Sequence, residues 1–134
     1  LSNREALAID FDPVMVEGTK ENLDWAGVAA TVVRGDSTNC TIPNNVKAVV
    51  VDPPYGRNSM GQKRLLEDTI TNIVRQVGEC RFVIILPTEA VETNLDEPVK
   101  TDYSHPLLTA IQAFEIPVHK SLGRLMIIAE TINK

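Results

Sequence analysis

The feature that most constrains the fold of this chain is a regular alternation between short apolar runs and longer amphipathic segments. The apolar runs, each long enough for one strand, are residues 5–10, 31–33, 46–51 and 81–87. Strands that are connected through helices pair in parallel, because the crossover helix returns the chain to the same end of the sheet. The alternation therefore predicts an α/β sheet with helices on both faces, in which the continuously apolar run 46–51 is buried on both sides.

Two of the amphipathic segments have clear helical boundaries. The first is predicted over 13–26, with Asp12 as its N-cap and Pro13 at the first helical position. Gly27 is a typical C-terminal stop for this helix. The second helix is predicted over 65–77, where apolar residues recur at helical spacing.

The last third of the chain predicts a helix followed by a hairpin. Apolar residues at helical spacing between 107 and 114 indicate a helix that begins near Ser104. After it, 115–121 and 123–132 read as two strands joined by a turn near Gly123, and such strands should pair antiparallel.

Length, charge and cysteine count exclude several classes of protein. The 134 residues are enough for one domain with its own core. Neither cysteine has a partner at zinc-site spacing, so no metal is expected, and the absence of an apolar run of about 20 residues predicts a soluble, cytoplasmic chain without a membrane partner. The net charge of −5 argues against a free-standing nucleic-acid binder. His105 and His119 are expected to be structural, at a helix start and in a strand.

Three of the predicted strands deliver an acid to the edge where ligands bind in an open parallel sheet, namely Asp10, Asp36 and Asp52. Asp10 is placed to accept both hydroxyls of a ribose. Phe11 either covers one face of an adenine or belongs to the core. Asp36 either accepts from an adenine amino group, with the Ser37 N–H offered to the ring, or forms an Asx turn.

The stretch DPPY, residues 52–55, is the most specific motif in the chain. Tandem prolines donate no backbone hydrogen bond, so the turn presents acceptors, which are the Asp52 carboxylate and the Pro53 carbonyl. Two acceptors bonded to an exocyclic amine would orient its nitrogen and favour its pyramidal form, so that the lone pair points at an electrophile. Tyr55 would stack on the base that carries the amine.

The same residues carry a family resemblance. DPPYGRNS resembles the D-P-P-Y motif of S-adenosylmethionine-dependent amino-methyltransferases. The series AIDFDP, RGDSTN and VVVDPPYGRNS resembles more closely the THUMP-associated tRNA guanosine N2-methyltransferases, which modify the guanosine at tRNA position ten. The similarity covers almost the whole chain and ends in VHKSLGRLMIIAE.

This resemblance implies a Rossmann-like class I methyltransferase sheet, S-adenosylmethionine as cofactor, tRNA as partner, and a THUMP-like RNA-binding domain elsewhere in the full-length protein. The cofactor-binding residues that it implies are Asp10, Phe11, Asp36, Ser37 and Asp52. The catalytic turn that it implies is formed by Asp52, Pro53, Pro54 and Tyr55. Tyr55 and Arg57 are the implied substrate contacts, although a surface ion pair is an equal explanation for Arg57.

One departure from the family pattern concerns the start of the chain. Such folds begin with a strand and a glycine-rich turn about twenty residues before the ribose acid, whereas only nine residues precede Asp10 and no glycine precedes Gly18. We therefore expect residues 1–134 to be a single partial catalytic domain that lacks the first strand, the glycine-rich loop and the first helix. The missing strand would lie between those ending at Asp10 and Asp52, so the chain alone should be inactive and prone to self-association.

Two alternative functions remain open at this stage. The same turn would serve an adenine N6 methyltransferase that acts on DNA or RNA. A non-catalytic remnant of the methyltransferase fold, kept as an interaction module, is the alternative from another class, and the missing glycine-rich loop favours it.

Overall fold

A computed structural model of the chain describes residues 4–53, 59–88, 97–119 and 122–132. The chain divides into two compact units, Leu1–Cys40 and Thr41–Lys134, which we call the N-terminal and C-terminal units. Each unit has its own sheet. The single domain expected from the sequence stays a prediction.

The N-terminal unit is a strand–helix–strand unit formed by β1 (Leu7–Asp10), α1 (Pro13–Ala26) and β2 (Thr31–Arg34). The two strands pair in parallel, from Leu7 opposite Thr31 to Asp10 opposite Arg34. Because the strands are parallel and in step, both end at the same edge of this small sheet. The predicted βαβ arrangement is confirmed here.

The ends of α1 form as the sequence predicts. The Asp12 side chain accepts a hydrogen bond of 2.9 Å from the Val14 N–H, which satisfies one of the unpaired donors of the first turn. At the other end Gly27 has φ 67°, a left-handed conformation that glycine adopts without a steric penalty, and its N–H donates to the Asp24 carbonyl.

The described residues of the C-terminal unit form one helix and a mixed sheet. Its elements are β3 (Ala48–Val51), α2 (Ser59–Gln76), β4 (Arg81–Thr88), β5 (Leu108–His119) and β6 (Leu122–Thr131). The strand order is β3-β4-β6-β5, in which β3 and β4 are parallel while β6 is antiparallel to both of its neighbours. The predicted α/β class and the C-terminal antiparallel hairpin are confirmed.

The core of the C-terminal unit lies between α2 and one face of this sheet. From the helix it receives Leu66, Ile70, Ile73 and Val74, from the residue after the helix Val77, and from the strands Phe82, Ile84, Leu108, Ala113, Ile127 and Ala129. Phe82, Ile84 and Ile127 have no exposed surface. Their neighbours along the strands, such as Val83 and Ile85, point to the other face and are half-buried. No helix in the described part of the chain is both long and apolar enough to span a bilayer.

The helix predicted to begin near Ser104 is wrong, because β5 occupies this segment. The pairing between β5 and β6 passes from Ala110 opposite Ala129 to Gln112 opposite Ile128, so Ile111 is an extra residue in a β-bulge. A bulge shifts the alternation of the strand by one position, and this shift creates apolar spacings that mimic a helix.

Two further expectations need correction. The run 46–51 is not buried on both faces, because β3 pairs only with β4 among the described strands and Val50 is 69% exposed. His105 is not at a helix start, since it lies in an isolated bridge with Leu108. The turn expected near Gly123 agrees with the register of the hairpin, since the ladder continues to His119 opposite Leu122.

Candidate functional site

In the N-terminal unit the two predicted ligand acids follow the parallel strands at the same edge. Asp10 is the last residue of β1, and Asp36 comes two residues after the end of β2. The Gly35 N–H donates to the Asp10 carbonyl at 3.0 Å, which continues the pairing up to the edge. The Asp10 side chain is solvent-exposed, and its Oδ1 accepts from the Asp12 N–H at 2.9 Å. Asp10 is therefore both anchored and accessible to a ligand.

Asp36 forms an Asx turn, which is one of the two roles predicted for it from the sequence. Its Oδ1 accepts from the Thr38 hydroxyl at 2.6 Å and from the Thr38 N–H at 2.9 Å. Both bonds lower the pKa of Asp36 below its usual value, and the bond from the Thr38 hydroxyl has the larger effect. The carboxylate is thus ionised and fixed in orientation, with Ser37 half-buried in the turn. An adenine contact by Asp36 and Ser37 stays a prediction.

Phe11 is not a core residue of the N-terminal unit, since 66% of its surface is exposed. Arg34, the last residue of the neighbouring strand β2, contacts Phe11 in two ways. The Arg34 Nε–H donates to the Phe11 carbonyl at 3.0 Å, and the guanidinium carbon lies 5.5 Å from the centroid of the Phe11 ring. Arg34 was not predicted as a site residue, although its place at the end of an apolar run, two residues before Asp36, indicates that it lies at this edge.

In the C-terminal unit Asp52 directly follows β3, and its side chain is 44% exposed. The Arg124 Nη1 lies 3.4 Å from the Asp52 Oδ2. Pro53 is half-buried. The other predicted site residues of this segment, Pro54, Tyr55 and Arg57, lie outside the described residues.

A second group of polar side chains lies beside α2, but its contacts are structural. The His105 Nδ1 accepts from the Leu107 N–H at 3.1 Å, and its Nε2 is 3.3 Å from the Thr71 hydroxyl. Burial raises the pKa of Tyr103 to about 12, and the charge of Glu67 adds to this rise. The buried His105 is thus held by backbone and hydroxyl, as expected for a residue without a catalytic role.

In the described ranges, neither the thiols nor the acidic side chains form a further catalytic or metal-binding centre. Burial raises the pKa of both Cys40 and Cys80, which disfavours the thiolate that a nucleophile or a metal ligand requires. Within residues 4–53, 59–88, 97–119 and 122–132, no group of three or more His, Cys, Asp or Glu side chains is arranged to hold a metal ion.

The two units therefore offer different chemistry. The N-terminal unit presents anchored carboxylates and an exposed aromatic ring, which suit hydroxyl donors and a flat heterocycle. The C-terminal unit presents an accessible carboxylate at the end of a strand, beside a proline that provides an acceptor and no donor.

Two curated relatives of this chain carry the same activity in their names. It is 46% identical over 128 residues to the tRNA (guanine(10)-N2)-dimethyltransferase of Methanothermobacter thermautotrophicus, with 92% of this chain and 36% of that protein covered. It is 30% identical over 137 residues to the protein of the same name from Pyrococcus abyssi, with 97% and 39% covered. The chain thus spans under two-fifths of the length of these relatives.

The chain also resembles solved structures in its fold and matches a family of methyltransferase domains. TrmN from Thermus thermophilus superimposes with a TM-score of 0.69 at 16% identity, over 94% of this chain and 36% of that one. The predicted Rossmann-like class I methyltransferase fold is confirmed by this likeness and by that to other solved S-adenosylmethionine-dependent methyltransferases. Residues 2–97 match the family UPF0020, described as the RMKL-like methyltransferase domain. The chain belongs to this family of methyltransferase domains.

Proposed function

We propose that this chain is part of an enzyme that transfers a methyl group from S-adenosylmethionine to the exocyclic N2 amine of guanosine in tRNA. The observation that carries the proposal is the position of Asp52. Its accessible carboxylate lies directly after β3 and begins the D-P-P-Y motif. The names of the two archaeal relatives supply the base and the polymer.

The N-terminal unit fits the adenosine part of such a cofactor. The exposed Asp10 carboxylate suits the two hydroxyl donors of a ribose, and the exposed ring of Phe11 suits the face of an adenine. Asp36 keeps the ionised form that an acceptor for an amino group needs, because the Thr38 bonds lower its pKa. When bound, the cofactor supplies an electrophilic methyl group on its sulfonium.

The C-terminal unit would act on the amine. The lone pair of an exocyclic amine is delocalised into the base, so the nitrogen is a poor nucleophile. Asp52 and the Pro53 carbonyl would accept its two hydrogens, orient the nitrogen and localise the lone pair. The departing proton goes to Asp52 or to water. Stacking of the base on Tyr55 and a backbone contact by Arg57 complete the proposed substrate site.

Recognition of tRNA is proposed to need a part of the protein beyond this chain. A net charge of −5 gives little attraction for phosphates. The chain spans under two-fifths of its archaeal relatives, which leaves room for a THUMP-like RNA-binding domain in the full-length protein. We place the enzyme in the cytoplasm, where its tRNA substrate is processed.

The test is analysis of the product formed by the full-length protein. The protein is incubated with S-adenosylmethionine and unmodified tRNA, and the digested nucleosides are identified by mass spectrometry. We expect N2-methylguanosine or N2-dimethylguanosine, and an Asp52→Ala variant as control should form neither. Methyladenosine would support the adenine N6 alternative instead. No methylated base in tRNA, other RNA or DNA would support the non-catalytic remnant.

A further inference from the structure

An ion pair joins the C-terminal hairpin to Asp52, the first residue of the predicted catalytic turn. Arg124, near the start of β6, places its Nη1 3.4 Å from the Asp52 Oδ2, although 72 residues separate the two in sequence. From this contact we infer that Arg124 is a positioning residue for the Asp52 carboxylate in methyl transfer. The inference rests on the proposed function of Asp52.

The registers of the sheet explain why the two side chains meet. Val51 is opposite Ile84, so Asp52 falls in step with Ile85 on the next strand. Ile85 is opposite Met126, and Arg124 lies two residues before it. Since side chains alternate between faces, Asp52 and Arg124 point to the same face, the one opposite α2.

The distance between the strands explains why the contact uses an arginine. β4 lies between β3 and β6, so two strand spacings, about 9.6 Å in all, separate their backbones. Arginine has a long side chain whose planar, permanently charged guanidinium donates in fixed directions. A shorter or uncharged side chain at position 124 would lose either the reach or the charge.

The exposure of the pair favours a role in geometry over a role in stability. The Arg124 side chain is 37% exposed and that of Asp52 is 44% exposed, and ion pairs this accessible add little to folding stability. A carboxylate that orients an amine, however, must hold one plane and one rotamer. A guanidinium bonded to Oδ2 selects that orientation before the substrate arrives, which is a catalytic advantage of preorganisation.

The chain offers a matched control in a second cross-strand ion pair. Arg81 on β4 donates to the Glu130 carboxylate on β6 at 2.7 Å, and the two residues are directly opposite in the ladder. Their side chains are 61% and 49% exposed. Arg81 is at the start of β4, whereas Pro87, the residue opposite Arg124, is near its end. Substitution of Arg81 therefore tests the loss of an arginine without disturbing Asp52.

The experiment measures steady-state methyl transfer by the full-length protein. Arg124→Met should lower kcat by about tenfold while the KM values for both substrates stay within about twofold, since the loss concerns the orientation of Asp52. Arg124→Lys should restore part of kcat, and Arg81→Met should match the wild type. In an Asp52→Asn background, Arg124→Met should cost nothing more, because the two residues act as one unit.

Several outcomes would overturn the inference. These are an unchanged kcat in Arg124→Met, an equal loss in Arg81→Met, or a further tenfold loss in the Asp52→Asn background. Arg124→Gln, which keeps a polar donor, replaces the methionine variant if circular dichroism shows that the latter is unfolded. If the wild-type protein methylates no base, the proposed function itself is wrong. If it methylates another amine, the variants can still be compared by their rates of that reaction.

Discussion

The N-terminal unit buries the side chain of Val16, whereas the C-terminal unit buries a cluster of twelve residues around Ile70, Phe82 and Ile127, counted over the described parts of the chain. Large apolar side chains on α1 are exposed, among them Trp25 at 91% and Val14 at 71%. The N-terminal unit also has a sheet of only two strands, which is marginal on its own. The N-terminal unit is therefore the less tightly packed of the two.

We propose that cofactor binding and chemistry are divided between a weakly packed region and a well-packed one. Four of the five candidate cofactor residues lie in the N-terminal unit, where few apolar contacts oppose local opening, and the fifth is Asp52. The candidate catalytic carboxylate lies in the C-terminal unit, at the end of a strand whose neighbour β4 belongs to the core. Rigid elements hold a reacting group more accurately than mobile ones.

The largest effect that we expect from this difference is weak cofactor binding by the isolated 134-residue chain. Asp10 and Asp36 would hold only the adenosine half of S-adenosylmethionine, and no glycine-rich turn precedes Gly18 to hold the methionine half. Loss of the contacts to the methionine half should raise the dissociation constant about a hundredfold or more above the micromolar range. This corresponds to about 2.8 kcal/mol or more of binding free energy, since each ~1.4 kcal/mol is a factor of ten.

Calorimetric titration of the isolated chain measures this affinity. Sedimentation of the same sample tests the self-association that we propose from the exposed Val50 on β3. A dissociation constant in the low micromolar range would show that the chain binds the cofactor without a glycine-rich turn.

A second prediction compares the two cores. Ile70 is completely buried, so Ile70→Ala should lower the free energy of unfolding of the C-terminal unit by about 2–5 kcal/mol. Val16→Ala should cost less than about 1.5 kcal/mol, because few buried neighbours surround the cavity. Segment-resolved hydrogen exchange measures both values, with Ile132→Ala, at an exposed residue, as the control. Equal costs for Ile70→Ala and Val16→Ala would remove the distinction between the units.

The smallest effect concerns Asp36 in the N-terminal unit. Thr38→Ala removes the 2.6 Å hydroxyl bond, so the pKa of Asp36 should rise toward its usual value of 3.8. Because the folded pKa is the lower one, the stabilisation from these bonds is present above the unfolded pKa and is lost as the pH falls through the folded one. NMR titration of the carboxyl carbon measures the change. Thr38→Ser, which keeps the hydroxyl, should behave as the wild type.

Local signals in the sequence were enough to predict several features of the fold and one part of the site. The caps of α1 depend on Asp12, Pro13 and Gly27, which act within a few residues, and they form as predicted. The place of Asp52 after a parallel strand follows from an apolar run and a stiff turn, both of which are local.

Features that depend on distant partners were not predictable in this way. β5 has a helix-like spacing that its pairing with β6 overrides, and the bulge at Ile111 explains that spacing only once the register is known. The exposure of Val50 depends on what packs against the face of the sheet opposite α2, which a local pattern does not encode. Arg124 contacts Asp52 across β4, and no short motif encodes a contact over 72 residues.

The division between binding and chemistry is tested most directly by single-turnover methylation with the full-length protein at increasing S-adenosylmethionine, comparing Asp10→Ala with Asp52→Ala. Asp10→Ala should need about ten- to a hundredfold more cofactor and regain nearly the wild-type rate at saturation, since it loses binding alone. Asp52→Ala should bind the cofactor within about tenfold of the wild type and remain about a hundredfold slower or more at every concentration. A near-normal rate in Asp52→Ala, or a defect that excess cofactor overcomes, would contradict the account.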